Sequence, residues 1–264
     1  MVLWRMRHQL KKLSVILRRA AVFAALPICA IADESCTLVL RLSDGEPLYS
    51  SGTVCDQRFS PASTFKLPLA VMGFETGLLA DSQTPVVPYD PALNARFKSW
   101  RHATSPERWL RYSVIWYSQW LTTSVGITDF QAFVDKINYG NRDLSGTAGR
   151  NDGLTHAWLS SSLKISPLEQ AQFLVQLRQG TLDVSKSAIR KLEETAQVFE
   201  TSDPQLRVIG KTGSAWKTRA DGTRTKKQIG WFVGWTLNHE TPSVFVHLRS
   251  EDQPEKGFAS ARSR

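Results

Sequence analysis

Strand signals at both ends of this chain bracket a helical middle, and that arrangement restricts the fold more than any other feature. Near the start, Thr37-Leu38-Val39-Leu40-Arg41-Leu42 and Pro47-Leu48-Tyr49-Ser50-Ser51-Gly52 flank Ser43-Asp44-Gly45-Glu46. Asp-Gly suits the positive φ values of a tight turn, so the two segments read as a β-hairpin. Near the end come Arg207-Val208-Ile209-Gly210-Lys211-Thr212, Ile229-Gly230-Trp231-Phe232-Val233-Gly234-Trp235 and Ser243-Val244-Phe245-Val246-His247-Leu248, with turn-rich stretches between them. Strands at opposite ends satisfy their backbone groups by pairing in one sheet. The expected fold is therefore α+β, a central antiparallel sheet of N- and C-terminal strands with a helical region inserted at about residues 63–200. The seam between the two parts is a natural cleft.

Within the middle, Pro106 to Leu121 reads as helical and is rich in tryptophan and tyrosine, and Thr128 to Ile137 has helical spacing. Ser166-Pro167-Leu168-Glu169 is a capping box with proline at the first helical position, and it opens a helix through Gln170 to Leu177. Residues 185–198 are a further helix candidate. Between Tyr139 and Ser160 lies a loop rich in glycine and polar residues, of the kind that usually serves a site or is disordered. No internal repeat, low-complexity run or phosphate-binding glycine motif is present.

Residues 1–32 have a different composition. They carry Arg5, Arg7, Lys11, Lys12, Arg18 and Arg19 and no acid, then an apolar stretch from Ala20 to Ile31 ending in Ala30-Ile31-Ala32. This is the layout of a secretory signal peptide, too short in its apolar part to span a bilayer comfortably. Cleavage is expected after Ala32, which leaves residues 33–264 as the catalytic domain and places it in the periplasm; an uncleaved anchor is the alternative. The residue before Cys29 is Ile28, which does not suit lipidation of that cysteine. With the six bases removed, the formal net charge of +9 falls to +3. The high pI thus belongs mainly to the export segment, and neither a nucleic-acid partner nor stable membrane insertion of the mature chain is expected.

Cys36 and Cys55 remain, at the open end of the hairpin. An even pair in an exported protein suggests a disulfide. A metal site is the weaker alternative, because His8, His102, His156, His239 and His247 are scattered and none pairs with a cysteine at ligand spacing.

Ser63-Thr64-Phe65-Lys66 opens the apolar run Leu67-Pro68-Leu69-Ala70-Val71-Met72. On a helix, positions three apart share a face, so hydroxyl and amine can meet. Serine becomes a nucleophile when a base takes its proton, and a lysine serves as that base when an apolar setting suppresses its charge. The motif alone is weak, since Ser161 to Lys164 and Ser214 to Lys217 match it too. Its companions make the case. Ser113-Val114-Ile115 follows 50 residues after Ser63, Tyr139-Gly140-Asn141 76 residues after it, and Lys211-Thr212-Gly213 148 residues after it on an expected strand.

This series resembles the penicillin-recognising serine enzymes, and within them the class D β-lactamases, also called oxacillinases, from about Cys36 to the C-terminus. Class A enzymes carry a polar Ser-x-Asn where this chain has Ser113-Val114-Ile115, and they use a loop glutamate in deacylation. The loop from Gly140 to Ile165 holds Asp143 and Asp152 but no glutamate. The resemblance implies that Ser63 is the nucleophile and that Lys66 is N-carboxylated by carbon dioxide to serve as general base, with no metal or organic cofactor. A buried lysine agrees with this, because only a neutral amine attacks carbon dioxide. It further implies that the Trp158 indole N–H holds the carbamate and that the backbone N–H groups of Ser63 and Ser214 form an oxyanion hole. Ser113 would relay a proton to the ring nitrogen with help from Lys211, and Lys211, Thr212, Gly213 and Arg262 would bind the substrate carboxylate end. Tyr139-Gly140-Asn141 is given a structural role.

Two departures from the family pattern stand out. Ile115 occupies a position where valine is usual, and the added methylene would line the lysine pocket. Relatives continue past the arginine matching Arg262 with a helix packed on the sheet, whereas this chain stops at Arg264; a missing C-terminal helix would uncover one sheet face and leave Arg262 near a frayed end. The expected function is hydrolysis of penicillin-type β-lactams and hence resistance. The alternatives are a β-lactam-sensing domain that acylates without turnover, and a peptidoglycan transpeptidase. Substrate spectrum and oligomeric state are not legible.

Overall fold

A computed structural model of the chain describes residues 34–219 and 222–252. The expected signal segment 1–32, Arg262 and the end of the chain lie outside the described residues.

The two ends meet in one sheet. Strands β1 (Ser35–Arg41), β2 (Pro47–Gly52), β3 (Val198–Glu200), β4 (Arg207–Thr218), β5 (Arg224–Leu237) and β6 (Ser243–Asp252) lie in the order β2-β1-β6-β5-β4-β3. All neighbours are antiparallel. The first and last strands pair directly, with Cys36 opposite Leu248 and Leu40 opposite Val244. The connection between β1 and β2 turns at residues 42–44 rather than tightly at Asp44-Gly45, with only Gly45 at positive φ (75°) and its N–H donating to the Arg41 carbonyl at 2.9 Å. A disulfide joins Cys36 to Cys55 with Cα atoms 5.1 Å apart.

The inserted region contributes α1 (Lys66–Glu75), α2 (Pro106–Tyr112), α3 (Ile115–Val125), α4 (Ile127–Lys136), the single turn α5 (Gly153–His156), α6 (Pro167–Gln179) and α7 (Lys186–Thr195). Helix α1 is apolar on all sides from Leu67 to Phe74, and every residue from Lys66 to Phe74 is buried, as such an apolar helix must be to exist in water. It packs against α3 and α7. Helix α6 begins with the full capping box, Ser166 accepting from the Glu169 N–H and Glu169 accepting from the Ser166 N–H, and lies on β1 and β6. Arg58 adds a bidentate ion pair to Glu169 from 111 residues away.

Three expectations need correction. The stretch Pro106 to Leu121 is two helices, broken where Ser113 adopts a left-handed conformation (φ 57°, ψ 38°) at the end of α2. The helix proposed for residues 185–198 stops at Thr195, and Val198 instead begins β3. The late strands are longer than their sequence signals, because each pairs along its full length with a neighbour. Register then fixes which β4 residues face the helices: Lys211, Gly213 and Ala215 stand opposite the buried Val233, Trp231 and Ile229.

Candidate active site

Ser63 lies in a single 3-10 turn, Ala62–Phe65, that runs straight into α1. Ala62 takes φ 50°, a costly value for a residue with a Cβ, and the sharp entry puts the nucleophile at the helix mouth. Lys66 follows one turn later. Its Nζ donates to Ser63 Oγ at 3.3 Å. Lys66 is 0% exposed. Burial, and next the nearby charge of Lys211, hold its pKa well below the usual lysine range. The amine is therefore stabilised in its neutral form, and a neutral amine is both a base and a nucleophile toward carbon dioxide.

The second serine arrives from the break between α2 and α3. The left-handed turn at Ser113 presents its hydroxyl to β4, where Lys211 Nζ donates to Ser113 Oγ at 2.6 Å. Lys211 also donates to the Thr212 carbonyl at 3.2 Å. Because Lys211 occupies a lone pair of Ser113, the serine hydrogen is left to point elsewhere as a donor.

Gly213 explains why β4 can approach the nucleophile so closely. A Cβ at this position would stand 2.9 Å from the Pro61 carbonyl oxygen and 3.1 Å from the Thr64 nitrogen. Only a residue without a side chain lets the strand lie against the turn that carries Ser63.

Trp158 is 0% exposed, and its carbonyl accepts from the Ala62 N–H of the nucleophile turn at 3.1 Å. Its ring packs against Phe65 at 5.8 Å and Phe130 at 6.3 Å between centroids. Its indole N–H is buried and has no hydrogen-bond partner among the described residues. An orphaned buried donor costs free energy unless a group absent from the polypeptide meets it. An anionic oxygen on Lys66 is a group of the right polarity, so the residues present fit an N-carboxylated lysine.

Tyr139, Gly140 and Asn141 act as loop formers. Tyr139 is fully buried against Phe65 and Phe173, and burial pushes its phenol pKa up; its hydroxyl donates to Gln170 Oε1 at 2.7 Å. Gly140 has φ 57° and faces the Lys164 carbonyl, which a Cβ would meet at 2.1 Å. Asn141 closes the loop by donating to the Ser162 carbonyl and accepting from the Lys164 N–H, both at 2.8 Å. The rival Ser-Lys pairs are used otherwise: Lys217 is ion-paired to Glu34 at 2.8 Å, and the Lys164 backbone serves the Asn141 loop.

These parts open into a cleft of about 490 Å³ lined by Ser63, Ser113, Ile115, Thr212, Gly213 and Ser214. Its outer wall was not legible from motifs. Arg96, Phe97 and Trp100 come from the loop before α2, His156 and Leu159 from the 139–165 loop, and Trp216, Arg224 and Gln228 from the β4–β5 hairpin. Arg96 and Arg224, with no acid among the lining residues, suit an anionic substrate. Arg262 is outside the described residues. Among those described, no group of three or more His, Cys, Asp or Glu side chains is placed to hold a metal ion, and no helix is long and apolar enough to cross a membrane.

Comparison with known proteins agrees with this geometry. The family model described as the penicillin binding protein transpeptidase domain matches residues 36–263. The β-lactamase OXA-9 of Klebsiella pneumoniae is 37% identical over 247 residues, covering 90% of this chain and 89% of that protein. OXA-1 of Escherichia coli is 34% identical over 206 residues, 78% of this chain and 71% of that one. The crystal structure of the class D β-lactamase OXA-427 superposes with a TM-score of 0.80 at 44% identity, covering 87% of this chain and 93% of the other. With a nucleophile turn, a buried lysine and a Lys-Thr-Gly strand brought together, and with relatives matched over 71–93% of their length, the chain belongs to the class D β-lactamases, serine hydrolases of the transpeptidase superfamily.

Proposed function

We propose that this chain hydrolyses the amide bond of penicillin-type β-lactams through a Ser63 acyl-enzyme, with N-carboxylated Lys66 as general base, and confers resistance from the periplasm after export. The observation that carries this reading is the wholly buried Lys66 nitrogen 3.3 Å from Ser63 Oγ, together with the unpartnered indole N–H of Trp158, whose ring packs on Phe65, the residue before Lys66.

Ser63 Oγ attacks the ring carbonyl as its proton leaves toward the Lys66 side. The N–H groups of Ser63 and Ser214 stabilise the negative oxygen that forms. Ser113, held by Lys211, donates its proton to the ring nitrogen as the C–N bond breaks, and Lys211 supplies positive charge beside it. Thr212, Lys211 and Arg262 hold the substrate carboxylate, for which a guanidinium is well shaped. When carbon dioxide is bound to Lys66, the carboxylate supplies the base that activates first Ser63 and then water. Trp158 orients that carboxylate and keeps it dry. The loop carries no glutamate to take over the second role.

Purified protein with a chromogenic cephalosporin tests the reading. Sustained turnover is expected. A single stoichiometric burst without turnover identifies a sensing domain and overturns hydrolysis.

A further inference from the structure

Ser60 belongs to none of the four motifs, yet it makes three polar contacts beside the nucleophile turn. It is 4% exposed. Its hydroxyl donates to the Trp158 carbonyl at 2.7 Å and accepts from the Ser160 N–H at 2.9 Å. The Ala62 N–H reaches the same Trp158 carbonyl at 3.1 Å. The Ser60 carbonyl accepts from the Trp231 indole at 3.0 Å, which fixes the segment to β5. Ser160 takes φ 59°. A left-handed conformation at a non-glycine residue persists only where its surroundings hold it. Here they do so on both sides, through Ser60 and through the Trp216 N–H, which donates to Ser160 Oγ at 2.9 Å.

We propose that Ser60 is a positioning residue that sets the Trp158 indole for the anion on Lys66. This rests on the N-carboxylated lysine of the function proposed above. Residues 60–62 grip the Trp158 and Ser160 backbone at three points, and the same segment continues without a break into Ser63 and Lys66. The height of the indole relative to Lys66 is thereby fixed through one short, buried lever. A group at position 60 must donate and accept at once in a small volume, which a hydroxyl does and a methyl does not. With alanine there, the partly buried Ser160 N–H and one lone pair of the Trp158 carbonyl lose their partner, and the loop shifts to recover them. Hydrogen bonds weaken steeply with angle, so a small shift of the indole weakens its hold on the anion. Carboxylation of lysine is reversible, and its equilibrium falls with that hold. The Ser63–Lys66 spacing is set within a single turn and does not pass through Ser60.

The test compares wild type and Ser60→Ala in carbon-dioxide-depleted buffer titrated with bicarbonate, following turnover and the 13C signal of lysine carboxylated from labelled bicarbonate. Loss of about one hydrogen bond's worth of orientation is expected to raise the half-saturating bicarbonate concentration about tenfold. The kcat at saturating bicarbonate is expected to return to within about threefold of wild type. Ser60→Cys keeps the volume with weaker hydrogen bonding and is the second variant should the alanine form not fold; it is expected to fall between the two. An unchanged bicarbonate requirement, or a kcat deficit that bicarbonate does not restore, overturns the positioning role while leaving the general-base reading intact. Absence of the 13C signal from wild type removes that base and the positioning role with it.

Discussion

Lys66 and Ser63 are joined at 3.3 Å in a setting where the lysine has no contact with solvent and Lys211 adds a second positive charge nearby. The lysine is a base because the fold makes its charged form expensive, and that expense has a measurable sign. With the folded pKa below the unfolded one, the unfolded chain binds the extra proton between the two values. Stability therefore rises with pH through this window, up to about the ordinary lysine pKa of ~10.4. In bicarbonate-free buffer, Lys66→Met is expected to melt higher than wild type near neutral pH. The gap should close as pH approaches the unfolded lysine value. Turnover should fall about 10³-fold or more, the usual worth of a general base. A gap that widens with pH contradicts the buried neutral amine.

Gly213 lies against the nucleophile turn through the Pro61 carbonyl and Thr64, and the space is too small for a methyl. Gly213→Ala forces β4 and residues 61–64 apart by a few tenths of an ångström. Overpacking of this kind costs about 1–3 kcal/mol, and displacement of reacting groups lowers kcat/KM by up to about 100-fold. Parallel melting and kinetic measurements check both. Wild-type kinetics in the alanine variant shows that the strand does not seat the nucleophile.

Much of this arrangement is written locally in the sequence. The β1–β2 turn and the Ser166–Glu169 capping box form because a few adjacent residues determine them. The chemistry-bearing motifs are legible from their order and spacing along the chain, although Ser63-x-x-Lys66 alone is weak. The missed features are those that tertiary contacts decide. Ser113 breaks a helical pattern without a glycine or proline to announce it, since Lys211, 98 residues away, holds its hydroxyl. Val198–Glu200 is three residues long and becomes a strand only because β4 offers an edge. Ser60, Arg96 and Arg224 carry no motif, and only the folded chain brings them to the site.

The disulfide between Cys36 and Cys55 staples β1 to the segment that leads into the nucleophile turn, across a separation of 19 residues. Closing a loop of this length restricts the unfolded chain by about 3 kcal/mol. Neither cysteine lines the cleft. Reduction is therefore expected to lower the denaturation free energy by about 2–4 kcal/mol and to leave turnover at 25 °C near wild type. Equilibrium unfolding with and without reductant measures the first, and a rate assay on the same samples the second. A loss of activity before any unfolding would place the staple in the site's geometry rather than in the fold's stability.

Ser113 combines two roles that substitution can separate. Its φ of 57° is a conformational demand, and its hydroxyl, 2.6 Å from Lys211 Nζ, is a chemical one. Ser113→Gly relieves the demand and removes the hydroxyl; Ser113→Ala removes the hydroxyl and keeps the strain. A left-handed residue with a Cβ costs about 1–2 kcal/mol, partly offset by the greater unfolded-state freedom of glycine. The glycine variant is thus expected to be more stable than the alanine variant by about 1 kcal/mol. Both are expected to lose about 10²- to 10⁴-fold in kcat, because neither can pass a proton to the ring nitrogen. Urea unfolding ranks the pair, and steady-state kinetics compares their losses. If the alanine variant keeps wild-type kcat, the proton reaches the ring nitrogen by another route, and Lys211 is the group left beside it to supply one.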